Sequence, residues 1–224
     1  MTVYVKKAGL TYISVPKCGC SSLKHLCFEI EHDAPFGDLK ESLGLDRLHR
    51  AFASQRFRRF LSRRQAGDYG GDLVTVIRNP VDRLLSCYTN KVVKALALHD
   101  ADQGALRTEG LSPDPDFDAF IANLDSYRAL SKVVERHSRP LSYFLGDDPA
   151  QYVRIFDISD IADFAHLVNT RAGTHVPLQH LHRADASNHS TRVTHETARA
   201  IETYMADDYE TFGNYMKPSN RIRT

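Results

Sequence analysis

No stretch of the sequence is long and apolar enough to span a membrane, and the N-terminus lacks the apolar core of a secretory signal. Neither sign of charge prevails. Against 28 Asp and Glu stand 29 Lys and Arg, and a formal net charge of +1 gives no basis for nucleic acid or an anionic membrane as a general partner. Cysteine is scarce: Cys18, Cys20, Cys27 and Cys87 contain no Cys-x-x-Cys pair. A disulfide framework is therefore not expected, and Cys18 and Cys20 have the wrong spacing for a structural zinc knuckle. Small side chains filling a tight loop and a buried helix face explain them more simply. The 11 histidines include no His-Glu-x-x-His, so no metal is signalled. No internal repeat is evident.

What is present fits one soluble domain spanning 1–224. The 224 residues suffice for a sizeable core, with 42% hydrophobic and 25% charged residues. The most telling stretch runs from Ile13 to Lys24. An apolar run stops at Pro16, then come Lys17, Cys18, Gly19 and Cys20, and the hydroxyls of Ser21 and Ser22 open an amphipathic segment. This is the layout of a strand, an anion-cradling loop and a helix N-terminus, where unpaired amides and the helix dipole favour a phosphate or sulfate. Gly19 lets the backbone come close and Lys17 adds a point charge. The familiar alternatives fail. A Walker loop needs its lysine after the glycine, a Cys-x5-Arg loop is ruled out by Lys24 and Leu26, and no Gly-x-Gly-x-x-Gly occurs.

A second stretch, Leu73 to Tyr88, begins with the β-branched strand Val74–Ile77. Pro80 suits the first position of a helix, and apolar residues at 81, 84, 85, 88 and 92 mark one face of it, to about residue 98. Arg78 at the strand end and Ser86 beyond the first helical turn are placed to grip one phosphate.

Elsewhere the patterning predicts strands at 11–15 and 152–156 and helices at 21–32, 45–65, 117–139 and 161–172, the last ended by Gly173. Residues 99–116 read as a flexible loop. Thr194 caps a last helix with Ala198, Ile201, Tyr204 and Met205 on its buried side. The alternation predicts an α/β fold with a largely parallel sheet flanked by helices. Seven arginines between Arg47 and Arg64, interleaved with Phe52, Phe57 and Phe60, read either as a solvated amphipathic helix or as a basic wall for an anion.

Pro16 to Ser22 and Arg78-Asn-Pro-Val-Asp-Arg-Leu-Leu-Ser-Cys-Tyr88 together resemble the two cofactor signatures of the carbohydrate sulfotransferases. The resemblance is clear over about 15–98, and Asp208-Tyr-Glu-Thr-Phe-Gly213 looks like the family's C-terminal ending. It implies a P-loop-like fold and transfer of a sulfuryl group from 3′-phosphoadenosine 5′-phosphosulfate to a hydroxyl of a carbohydrate or glycolipid, without metal. Pro16 to Ser22 would form the 5′-phosphosulfate loop, with Lys17 on the bridging oxygen, and Arg78 with Ser86 would bind the 3′-phosphate. For the base, His49 stands in the interval where related enzymes carry one. His137, in a His-x-x-Pro element, is the alternative near the acceptor. Arg183 and Asn188-His-Ser190 loosely resemble a region that returns to the nucleotide. Golgi members of the family carry a membrane anchor, so its absence, with Met1 at the start, points to a soluble cytoplasmic protein. Two other classes stay open: a kinase-like phosphotransferase on a related fold, and a nucleotide-binding module without a base. The oligomeric state stays open too.

Overall fold

Alternation along two strands builds the first half of the molecule. In the computed structural model, which describes residues 2–44, 48, 52, 70–179 and 192–222, β1 (Thr2–Val5), β2 (Leu10–Ile13), β3 (Asp72–Ile77) and β4 (Tyr152–Asp157) form one sheet in the order β1-β2-β3-β4. The strands β2, β3 and β4 are parallel, and β1 adds an antiparallel edge, with Thr2 opposite Ile13 and Val5 opposite Leu10. Side chains of period two then feed opposite faces. Leu10, Tyr12, Val74 and Val76 meet Leu23, Leu26, Phe28 and Ile30 of α1 (Cys20–His32) and Phe164 and Val168 of α9 (Ile161–Ala172). On the other face Ile13, Leu73 and Ile77 meet Leu141, Phe144 and Leu145 of α8 (Leu141–Leu145), with Phe212. The fold is α/β, a largely parallel sheet flanked by helices.

The chain divides into two compact units. The first comprises Met1–Ile77, Leu141–Arg183 and Thr211–Met216, and the second Arg78–Pro140, Ala184–Glu210 and Lys217–Thr224. The first holds the sheet, with the short helix α2 (Phe36–Leu39) beside α1. Gly71, at φ +73°, must stay glycine there, because a Cβ would lie 2.1 Å from the Gly9 carbonyl oxygen. As expected, Gly173 ends α9 in the left-handed region, its N–H on the carbonyls of Asn169 and Thr170.

Described by itself, the second unit is helical. It contains α3 (Pro80–Cys87), α4 (Gln103–Thr108), α5 (Phe117–Ala122), α6 (Leu124–Leu130), α7 (Lys132–Ser138) and α10 (His195–Tyr204), and α11 (Ala206–Phe212) begins in it. Val81, Leu84, Leu85, Phe120, Leu124, Tyr127, Val134 and Ile201 form its core. Four expectations are corrected here. The helix predicted from 81 to about 98 is α-helical only to Cys87 and then widens into a π-turn, Tyr88–Val93. The Thr89 hydroxyl donates to the Leu85 carbonyl at 2.9 Å, a back-bond that competes with the ladder. The helix predicted over 117–139 is three helices. It breaks at Asn123 and again at Ser131, which caps α7. The segment 99–116 contains α4, capped by Asp102 Oδ1 on the amides of Gly104 and Ala105. Thr194 caps α10 as expected, its Oγ1 accepting from Thr197 N at 3.1 Å, but Tyr204 is 37% exposed and bonds Asp125 and Arg128. It lies at the edge of the stripe that Ala198, Ile201 and Met205 define.

Candidate functional site

The anion loop lies entirely in the first unit. Cys18 N donates to Val15 O at 3.4 Å, closing a turn, and Lys17 and Gly19 both take left-handed φ of 70°. A lysine in that region is strained by about 1–2 kcal/mol. Gly19 is the N-cap of α1 and carries no capping side chain, and the first turn holds no acidic residue. The first-turn amides and the dipole of a 13-residue helix are thus offered to an anion without a competing carboxylate. A Cβ on Gly19 would lie 2.7 Å from Ile161 Cδ1, so the loop rests against the start of α9.

The side chains of the loop divide by depth. Pro16, Lys17, Cys20 and Ser21 are half-buried, whereas Ser22 is 5% exposed and Cys18 fully buried among the core residues beneath the sheet. The Cys18 side chain is therefore withdrawn from the loop surface, and only its backbone is left to face an anion. All four cysteines are free thiols. Burial pushes the Cys27 thiol up to about 12, with Lys24 pulling the other way, so Cys27 is inert at neutral pH. Beneath the loop Tyr12 is wholly buried against Phe164. Burial foremost, then the thiols of Cys20, Cys18 and Cys27, raise its phenol well above the ordinary range. Ser14 acts weakly the other way without closing a hydrogen bond.

The second motif lies in the other unit. Asn79 caps α3: its Oδ1 accepts from Val81 N at 3.0 Å and from the Tyr209 hydroxyl at 3.1 Å, while its Nδ2 donates to Lys217 O at 3.3 Å. Pro80 takes the first helical position, where its missing N–H costs nothing. Asp82 accepts from Ser219 Oγ at 2.8 Å. Arg78, half-buried just before this cap, has a buried Nε without a hydrogen-bond partner, and Ser86 makes no hydrogen bond among the described residues. Burial, and after it the charge of Glu202, raises the Tyr209 phenol to about 12, so it remains a donor throughout the working range.

Of the two histidine candidates, His49 lies outside the described residues, as do Arg183, Asn188-His-Ser190 and the seven arginines between Arg47 and Arg64. Phe52 of that basic segment is described and is buried in the core beside Phe28. His137 ends α7 half-buried, with Nδ1 2.7 Å from Val133 O. A carbonyl only accepts, so Nδ1 carries the proton and Nε2 is the basic nitrogen.

Sequence reasoning assigned no role to Asn79, Tyr209 or Tyr12. The Asn-Pro pair was a readable cap signal; the partnership with Tyr209, 130 positions away, was not. Among the described residues no helix is long and apolar enough to cross a membrane, and no group of three or more His, Cys, Asp or Glu is placed to hold a metal. No curated protein and no solved structure matches the chain. The sulfotransferase family, by contrast, matches residues 1–215, nearly the whole length. The chain belongs to the sulfotransferase family.

Proposed function

We propose that this sulfotransferase moves a sulfuryl group from 3′-phosphoadenosine 5′-phosphosulfate to a hydroxyl of a carbohydrate or glycolipid. The observation that carries the reading is the α1 N-terminus: a glycine cap, no acid in the first turn and a strained Lys17 two residues before Gly19. Amides from Gly19 to Ser22 hold the phosphosulfate oxygens, and Lys17 neutralises the charge that builds on the bridging oxygen as the bond to sulfur breaks. The acceptor oxygen attacks sulfur, adenosine 3′,5′-bisphosphate leaves, and the hydroxyl proton passes to a base, His49 or His137. Arg78, with its unspent Nε donor, and Ser86 bind the 3′-phosphate. A cytoplasmic location belongs to the same proposal, and cell fractionation tests it.

Calorimetric titration separates this reading from its rivals. Adenosine 3′,5′-bisphosphate should bind far more tightly than AMP or ATP, by roughly 1.5–3 kcal/mol per charge-assisted hydrogen bond to the extra phosphate. Equal affinities for the bisphosphate and AMP would remove the role of Arg78 and Ser86. Tight bisphosphate binding without any turnover would leave a nucleotide-binding module.

A further inference from the structure

Among the described residues Arg83 is the largest side chain wholly withdrawn from solvent, at 0% exposure, in the fourth position of α3. Its Nη2 donates to the Arg139 carbonyl at 2.5 Å, while Nε and Nη1 have no acceptor among the described residues. Among the described residues no carboxylate pairs with it. Stability alone does not explain an arginine there. A buried, uncompensated guanidinium is expensive, and an apolar chain of similar length commonly costs less. Contact with a nucleotide does not explain it either, since the side chain offers no face to one.

What the guanidinium does hold is the end of α7. Arg139 is the residue that ends that helix, where carbonyls lose their intrahelical partners. The same turn is tied internally: Arg139 pairs with Glu135, Ser138 Oγ donates to Val134 O at 2.8 Å, and His137 Nδ1 donates to Val133 O. On α3, Ser86 lies three residues beyond Arg83, on the same flank of the helix. One buried side chain therefore links the Ser86 helix to the turn that presents His137.

We propose that Arg83 is a positioning residue, locking the His137 turn of α7 to the Ser86 helix so that acceptor and donor are held in register. This rests on the reading in which Ser86 meets the donor and His137 faces the acceptor. Arg83→Met removes the tie while keeping volume, and Arg83→Lys keeps the charge and one donor for the Arg139 carbonyl. With Arg83→Met, the melting temperature and the affinity for adenosine 3′,5′-bisphosphate should hold, while kcat/KM for the acceptor falls by roughly 10- to 100-fold, the cost of a small misplacement. Arg83→Lys should recover much of that loss. Combining Arg83→Met with His137→Ala should cost no more than His137→Ala alone, because both act through one group. Unchanged kcat/KM in Arg83→Met, or additive losses in the double variant, would overturn the proposal. So would a parallel fall in melting temperature and nucleotide affinity, which marks a merely structural residue. Amide exchange over residues 135–139 decides the tie independently of turnover. Faster exchange in Arg83→Met supports the lock even if the wild type transfers no sulfuryl group and the functional reading fails. Unchanged exchange refutes the lock.

Discussion

Tyr209 donates its phenolic proton to Asn79 Oδ1 at 3.1 Å, on the residue that caps α3 immediately after Arg78. Three hydrogen bonds converge on that one amide, from Val81 N, from Tyr209 and toward Lys217 O. The cap sets where α3 begins, and hence where Arg78 and Ser86 stand on either side of its first turns. In the C-terminal Asp-Tyr-x-x-Phe-Gly segment, Tyr209 secures the second motif and Phe212 is buried among the core residues of the first unit.

Tyr209→Phe should therefore cost about 0.5–1.5 kcal/mol of stability, the usual worth of one neutral hydrogen bond. Its pH signature has a definite sign. The folded phenol titrates at about 12, above the ordinary 10, so its contribution is intact below pH 10 and is lost as pH rises toward 12. Denaturant melts of both proteins across that window should show a steeper alkaline loss in the wild type. Parallel curves would mean that the folded Tyr209 phenol is not held buried as the structure has it.

Lys17 carries two opposed expectations. Lys17→Gly relieves left-handed strain worth about 1–2 kcal/mol, so its melting temperature should match or exceed that of the wild type. Turnover should nonetheless collapse, with bisphosphate binding weakened less, because the ammonium matters most as charge develops on the leaving phosphate. Normal turnover with only a raised KM would make Lys17 a binding residue.

Gly19 joins the loop to α9. In Gly19→Ala both the φ of 70° and the approach to Ile161 Cδ1 are penalised, and the loop amides lose their alignment. Adding Ile161→Ala should relieve the clash but not the backbone strain, restoring stability in part and bisphosphate affinity hardly at all. Full restoration of both by the second substitution would contradict a conformational requirement for glycine.

How legible the molecule was depended on the range of the interactions. The strand, loop and helix around Lys17, and the strand and Pro80-led helix around Arg78, are local patterns, and both stand where the sequence put them. Strand β1 was missed because its four residues, which end at Val5 just before Lys6 and Lys7, carry too little periodicity. The π-turn was missed because apolar residues at 81, 84, 85, 88 and 92 suit a regular helix equally well. Arg83 stands in the second signature without a role assigned to it, and only packing reveals it as wholly buried. The Tyr209–Asn79 bond spans 130 positions, beyond any periodic signal.

The two histidines can be told apart by kinetics. Replacing the true base by alanine should lower turnover by roughly 10²–10⁴ with nucleotide affinity intact. His49→Ala is expected to follow that pattern, and His137→Ala to act more on acceptor KM. Assays at saturating donor over a range of acceptor concentrations check both. Losses of only a few-fold in both variants would assign the proton to another group.

The central claim is the reaction itself, and following the sulfur tests it most directly. Purified protein is incubated with 3′-phosphoadenosine 5′-phosphosulfate labelled with radioactive sulfur and a panel of sugars and glycolipids, with and without EDTA. The label should appear on a hydroxylated acceptor, in step with release of adenosine 3′,5′-bisphosphate, to the same extent under both conditions. Absence of label from every acceptor while the bisphosphate binds tightly, or magnesium-dependent transfer of the γ-phosphate from labelled ATP instead, would contradict it.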